Sequence, residues 1–204
     1  MTVTKIAIMG TGPMASALGY SWTHAGHVVR IGSRVPGDPR MALLRPFASI
    51  GTHEDAAREA DVIVLALPFP EIVRFASLHR KLLAGKTIID PSNSFDYLID
   101  GTQGSSELVA EGLGSGVGLV AAFKDNSAAK LVSTSSVPVE VQDIRLVADD
   151  PVAIAIVAGL VRDMGHNPVD CGPLHNSRLL DASACLLLEA GRRADHSRTS
   201  PGRH

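Results

Sequence analysis

Cysteine is nearly missing from this chain. Its 204 residues hold two, Cys171 and Cys185, with no C-x-x-C spacing and no matching histidine pattern. That argues against a structural zinc site, a metal centre or a disulfide framework, and it suits a protein kept reduced in the cytoplasm. Aromatic residues make up only 4%, too few for the stacking platforms that grip single-stranded nucleic acid. Neither sign of charge dominates: 19 Lys and Arg face 21 Asp and Glu, a formal net charge of −2. Such a chain has no basic footprint for nucleic acid or for an anionic membrane. Long apolar runs are lacking too. The stretches from Val62 to Leu67 and from Ala153 to Val161 fall far short of the roughly 20 residues needed to cross a bilayer. Because the first residues lead straight into a strand pattern, no signal peptide is expected.

What remains is the composition of an ordinary globular protein, 45% hydrophobic and 20% charged, with room for one dinucleotide-binding domain and a modest appendage. Strand and helix patterns alternate almost from the start, which predicts an α/β fold with a parallel sheet covered by helices. Strands are predicted over Lys5 to Met9, His27 to Ile31, Val62 to Leu67, Thr87 to Asp90 and Val117 to Phe123. Helices are predicted over Met14 to Ala25, Met41 to Phe47, a segment opened by Thr52, Pro70 to Leu83, and Gln103 to Glu111. After Phe123 the pattern changes. A polar connection (Lys124 to Pro138) precedes a strand (Gln142 to Ala148), a helix capped by Asp150 with Pro151 in its first turn, a short strand (Asn167 to Asp170) and a last helix (Leu174 to Ala190). We therefore expect a Rossmann-type domain over residues 1–138, whose sheet ends near Phe123, and a small C-terminal α/β or mainly helical domain over 139–192. The Arg-, Ser- and His-rich residues 193–204 read as a disordered tail.

One turn carries the chemistry. Gly10-Thr11-Gly12-Pro13-Met14-Ala15 follows a strand and opens a helix, the context that a G-x-G-x-x-G/A fingerprint requires. Gly10 permits the tight turn, and Gly12 lets the backbone approach a pyrophosphate at the helix N-terminus. The end of the second strand selects the cofactor. An NAD site places Asp or Glu there to hold the ribose 2′-hydroxyl, whereas this chain has Ile31-Gly32-Ser33-Arg34. A serine hydroxyl and an arginine fork suit a 2′-phosphate, so the expected cofactor is NADP(H). A second glycine cluster, from Gly112 to Gly118, lies between a helix and a strand, the reverse order, and reads as a plain connection. Further contacts are expected from the carboxyl ends of the strands: Leu67 and Pro68 along the ribose and pyrophosphate, and Ser92, Asn93 and Ala122 near the nicotinamide. Asp90 reads as a cap. Lys124, Asp125 and Asn126 read either as substrate-site residues or as an inert loop, and His175 either as facing the cleft or as surface. No catalytic acid, base or nucleophile stands out.

Taken together, Gly10-Thr11-Gly12-Pro13-Met14, Ile31-Gly32-Ser33-Arg34, Ala66-Leu67-Pro68, Asp90-Pro91-Ser92-Asn93 and Val169-Asp170-Cys171-Gly172-Pro173-Leu174 resemble the NADPH-dependent coenzyme F420 reductases. The resemblance spans nearly the whole chain apart from the tail. It implies a homodimer that passes hydride directly between NADP(H) and a deazaflavin or flavin partner, with catalysis by positioning. Two segments depart from the family's usual pattern: Ser94 stands where proline is usual after Ser-Asn, and Ala121-Ala122-Phe123-Lys124-Asp125-Asn126 replaces the usual Lys-Ala-Phe-Asn-Thr. Size alone also favours a dimer, with the apolar helices over Val152 to Val161 and Leu179 to Leu188 packing across a two-fold axis. Two other readings stay open: a reductase of small carbonyl or imine metabolites, and a regulatory module that binds NADPH without turnover.

Overall fold

The computed structural model describes residues 2–94, 103–132 and 140–199. The second half of the polar connection (133–139) and the tail's last residues (200–204) lie outside the described residues.

The chain runs β1 (Lys5–Met9), α1 (Pro13–His24), β2 (Val28–Gly32), β3 (Ser49–Gly51), α2 (His53–Arg58), β4 (Val62–Leu65), α3 (Phe69–Leu78), α4 (Arg80–Leu83), β5 (Thr87–Asp90), α5 (Ser105–Leu113), β6 (Gly118–Ala122), β7 (Asp143–Val147), α6 (Pro151–Asp163), β8 (Asn167–Asp170) and α7 (Ser177–Thr199). The eight strands of the described residues form one sheet in the order β3-β2-β1-β4-β5-β6-β7-β8. Every pairing is parallel except β6 with β7. This is the Rossmann-type α/β architecture.

Strand parity builds two cores, because successive side chains leave a strand on opposite faces. Ile6, Ile8, Val62, Val64, Ile89 and Val120 pack on one face with α1 and α6. Ala7, Met9, Ile63, Leu65, Ile88 and Ala121 pack on the other with α2, α3 and α5. Trp22 anchors the first core. It is fully buried, and its indole Nε1 donates to the Leu160 carbonyl at 3.1 Å, which ties α1 to α6. The helix starts use local caps: Thr52 Oγ1 accepts from the Asp55 amide at 3.1 Å, and Asp150 Oδ1 accepts from the Val152 amide at 2.8 Å.

Several expectations need correction. The sheet does not end near Phe123. Between β6 and β7 the described residues contain only a short 3₁₀ turn, Ala128–Leu131. β7 pairs antiparallel with β6, and α6 then carries the chain over to parallel β8. Strand β3 lies in what reads as loop, since three residues at a sheet edge show no periodicity. The helix predicted over Met41 to Phe47 is a 3₁₀ turn, Pro39–Leu43, capped by Asp38. The single helix predicted over Pro70 to Leu83 breaks at His79 into α3 and α4. Helix α7 runs on to Thr199, through residues that read as tail. Good helix formers such as Arg192, Arg193 and Ala194 continue a long helix without any packing signal. Among the described residues, no helix is long and apolar enough to cross a membrane.

Candidate functional site

The strand order reverses direction between β1 and β4, so a crevice opens outside the carboxyl ends of these two strands. A cavity of about 310 Å³ sits there, lined among others by Gly10, Thr11, Gly12, Ser33, Arg34, Leu67 and Pro68. These are seven of the twelve residues predicted to bind the cofactor, and they come from three separate turns.

Each turn has a local reason. Gly10 has φ +120°, and a Cβ there would lie 2.1 Å from the Ala66 carbonyl oxygen, so no other residue fits between β1 and β4. Gly12, by contrast, meets no atom within 4 Å of where its Cβ would sit. That space is open, and Gly12 caps α1 without a side-chain hydrogen bond to the helix amides. The first turn of α1 therefore presents amides to an anion, as a pyrophosphate needs. Ser33 Oγ accepts from the Val35 amide at 3.1 Å, which leaves its O–H free to donate. Arg34 is exposed, and among the described residues its guanidinium has no ion-pair partner. In the same cavity Arg40 holds Asp38 in a two-pronged contact (2.6 Å for the Nη2–Oδ2 pair), and its hydrogen bonds pull the Asp38 carboxyl down to about 2. These residues fit a dinucleotide bearing a 2′-phosphate.

The other five predicted residues fall elsewhere. Pro13 is exposed, and Met14 packs against the core, both in the first turn of α1. Ala122 is buried within β6. Ser92 is buried, and its amide and hydroxyl donate to Asp90 Oδ1 at 2.9 and 2.6 Å. Asn93 lines a second cavity, of about 580 Å³, farther along the carboxyl edge of the sheet with Asp125, Asn126, Lys130, Arg145 and Leu187. Its Nδ2 donates to the Lys124 carbonyl at 2.7 Å, which fixes the amide, while its buried Oδ1 has no hydrogen-bond partner among the described residues. A carboxamide N–H is the kind of donor that oxygen lacks.

Lys124 also borders this second cavity, as Asp125 and Asn126 do, but its side chain turns inward. The ammonium is wholly buried. It donates to the Ser92 carbonyl, to Ser105 Oγ at 2.7 Å and to Asp181 Oδ1 at 3.0 Å, and it lies 3.5 Å from Asp90 Oδ2. Asp90 Oδ2 also accepts from Ser106 Oγ at 2.6 Å, and Asp181 Oδ2 from the Ser105 amide at 2.9 Å. One lysine thus joins β5, β6, α5 and α7. Phe123 makes the inward turn possible by taking φ +64°, a left-handed conformation that costs a bulky residue about 1–3 kcal/mol. Helical spacing holds a signal for Asp181, which shares a buried stripe with Ser177, Leu180 and Ala184.

Of the remaining candidates, Asp125 pairs with Arg145, and Asn126 Nδ2 donates to the Asp143 carbonyl at 3.3 Å. His175 pairs with Glu107 at 3.2 Å, outside both cavities. Arg80 donates to the Glu111 and Gly112 carbonyls, so the second glycine cluster is held as a connection. Sequence reasoning missed His53, which lines the first cavity. Nothing local marks it, because its approach to β2 is a tertiary contact.

Comparison with known proteins agrees with this geometry. Residues 5–94 match the family described as NADP oxidoreductase, coenzyme F420-dependent. The chain is 31% identical to an F420-dependent NADP reductase of Methanothermobacter thermautotrophicus, across 91% of this chain and 88% of that protein. It is 30% identical to the metalloreductase STEAP3 of Rattus norvegicus, across 90% of this chain but 37% of that much longer protein. A crystal structure of a putative F420-dependent NADP reductase from an Arthrobacter species superposes with a TM-score of 0.82, at 21% identity, over 94% of this chain and 95% of that one. With the switch-point cavity and a near full-length relative in hand, the chain belongs to the family of coenzyme F420-dependent NADP oxidoreductases.

Proposed function

We propose that this protein is an NADP-dependent oxidoreductase that passes hydride between NADP(H) and the deazaflavin coenzyme F420. The observation that carries this is the cavity where Gly10–Gly12 and Ser33–Arg34 meet, in a chain that matches an F420-dependent NADP reductase over 91% of its length. The nicotinamide, when bound, gives or takes the hydride. The chain's own part is to hold the dinucleotide by its phosphates and to orient its reacting end through Asn93. Leu67 and Pro68 border the ribose and pyrophosphate, and the cavity beside Asn93 takes the deazaflavin. Positioning of this kind supplies a large part of such a rate without an acid or base.

Purified protein mixed with NADPH and oxidised F420 is expected to bleach the deazaflavin's visible absorbance in proportion to enzyme. Reduction of a carbonyl or imine panel with F420 left untouched would overturn this reading, and so would binding of NADPH with no turnover of any acceptor.

A homodimer is part of the proposal. On α7, Leu179, Leu186, Leu187 and Leu188 are exposed, as are Val152 and Ile156 on α6. An unpaired apolar set on two helices suits a second copy of the chain. Sedimentation equilibrium should give twice the chain mass, and L187E should halve it. The two free cysteines, Cys171 and Cys185, suit work in the cytoplasm, where thiols stay reduced.

A further inference from the structure

The cavity of the proposed NADP(H) site has a third basic group. His53, the first residue of α2, lies against the end of β2. A Cβ on Gly32 would come within 2.9 Å of its Cδ2 and 3.1 Å of its Cα. On its other side the imidazole meets the Phe75 ring edge-on, with centroids 5.2 Å apart. The ring is half-buried and lines the cavity together with Ser33 and Arg34.

The charges around it are of both signs. The groups facing His53 are Arg34 from the loop after β2, Glu54 on α2 and His79 at the end of α3, while Asp38, Arg40 and Glu71 complete the cavity wall. Asp38 is engaged by Arg40, Glu54 lies 3.9 Å from the His79 ring, and Glu71 lines the wall from α3. Ser33 has a hydroxyl hydrogen to donate, Arg34 has no ion-pair partner among the described residues, and His53 adds an imidazole, so three donors share the lining of one cavity. Neutral adenine needs none of them. A dianionic phosphate monoester uses all three.

We propose that His53 is a third contact to the 2′-phosphate of NADP(H), acting with Ser33 and Arg34, and that it takes up a proton as the phosphate seats. The inference rests on the NADP(H) reading of the cavity and deepens it. In the free protein, burial holds the His53 ring below its usual value, and the charges of His79 and Arg34 add to this, against Glu54 and the Gly32 carbonyl. A seated phosphate reverses the balance by giving the ring an anionic partner. The bound ring therefore holds its proton to higher pH than the free ring does. Affinity then rises as pH falls between the bound and free values, and the gain flattens below the free one.

The test compares wild type with His53→Asn and His53→Gln, using NADP⁺ with NAD⁺ as the probe that lacks the phosphate. Dissociation constants are measured from about pH 6 to about pH 8.5, and proton uptake by calorimetry in buffers of different ionisation enthalpy. The phosphate's own titration, near pH 6 for such esters, is common to all three proteins and cancels. The expected result is proton uptake with NADP⁺ but not NAD⁺ in wild type, lost in both variants. NADP⁺ should weaken about tenfold in the variants at the acid end, as for a charged hydrogen bond, and little at the alkaline end, with NAD⁺ unchanged. Equal losses for NADP⁺ and NAD⁺ would mean that the ring packs on adenine, and undiminished proton uptake in both variants would assign the proton elsewhere. Either result overturns the role of His53 alone. A wild type with no preference for NADP⁺ overturns the cavity reading as well.

Discussion

Lys124→Met is expected to cost about 3–5 kcal/mol of folding stability, the usual penalty for removing one partner of a buried ion pair. The ammonium and both carboxylates, Asp90 and Asp181, are fully buried. Methionine fills much of the same space but donates nothing. The Ser92 carbonyl, Ser105 Oγ and Asp181 Oδ1 would each lose a partner at once. Against a typical domain stability of about 5–15 kcal/mol, that is a large share. Urea unfolding would measure it as a fall in midpoint at unchanged slope. The double variant Lys124→Met/Asp181→Leu should be more stable than Lys124→Met alone, with a coupling of about 1–3 kcal/mol, because one stranded carboxylate is gone. A single-variant loss below about 1 kcal/mol would show that the cluster contributes packing rather than charge pairing.

Arg34→Ala should weaken NADP⁺ by about 1.5–3 kcal/mol, roughly 10- to 150-fold, as for a lost hydrogen bond to a charged group. NAD⁺ should bind as before. The contrast follows from where Arg34 sits: exposed, at the mouth of the cavity, and with no ion-pair partner among the described residues whose loss would disturb the fold. Arg34→Lys should recover part of the affinity, since a lysine keeps the charge but not the planar fork. Titration of both nucleotides checks this directly, and a matched loss for both would remove Arg34 from the 2′-phosphate contact.

What could be read from residue order alone was local. Thr87–Asp90 emerges with the predicted ends because a four-residue buried strand announces itself by composition. The turn at Gly10 to Gly12 was legible because its meaning lies in its neighbours, a strand before and a helix after. His53 and the Lys124 cluster were not, since each exists only through contacts across the fold. Asp181 lies 57 residues from Lys124 in sequence, and no periodicity couples them. The continuation of the sheet through β7 and β8 was hidden for a related reason. Strand pairing depends on where the chain returns, which a change of local pattern does not encode.

The two edges of the sheet are both poor sites for adding a strand. One edge is β3, three residues long. The other is β8, four residues with Pro168 among them and so one backbone donor short. Neither offers a ladder that a second chain could extend. Growth of this sheet by a strand from another chain is therefore disfavoured at both margins.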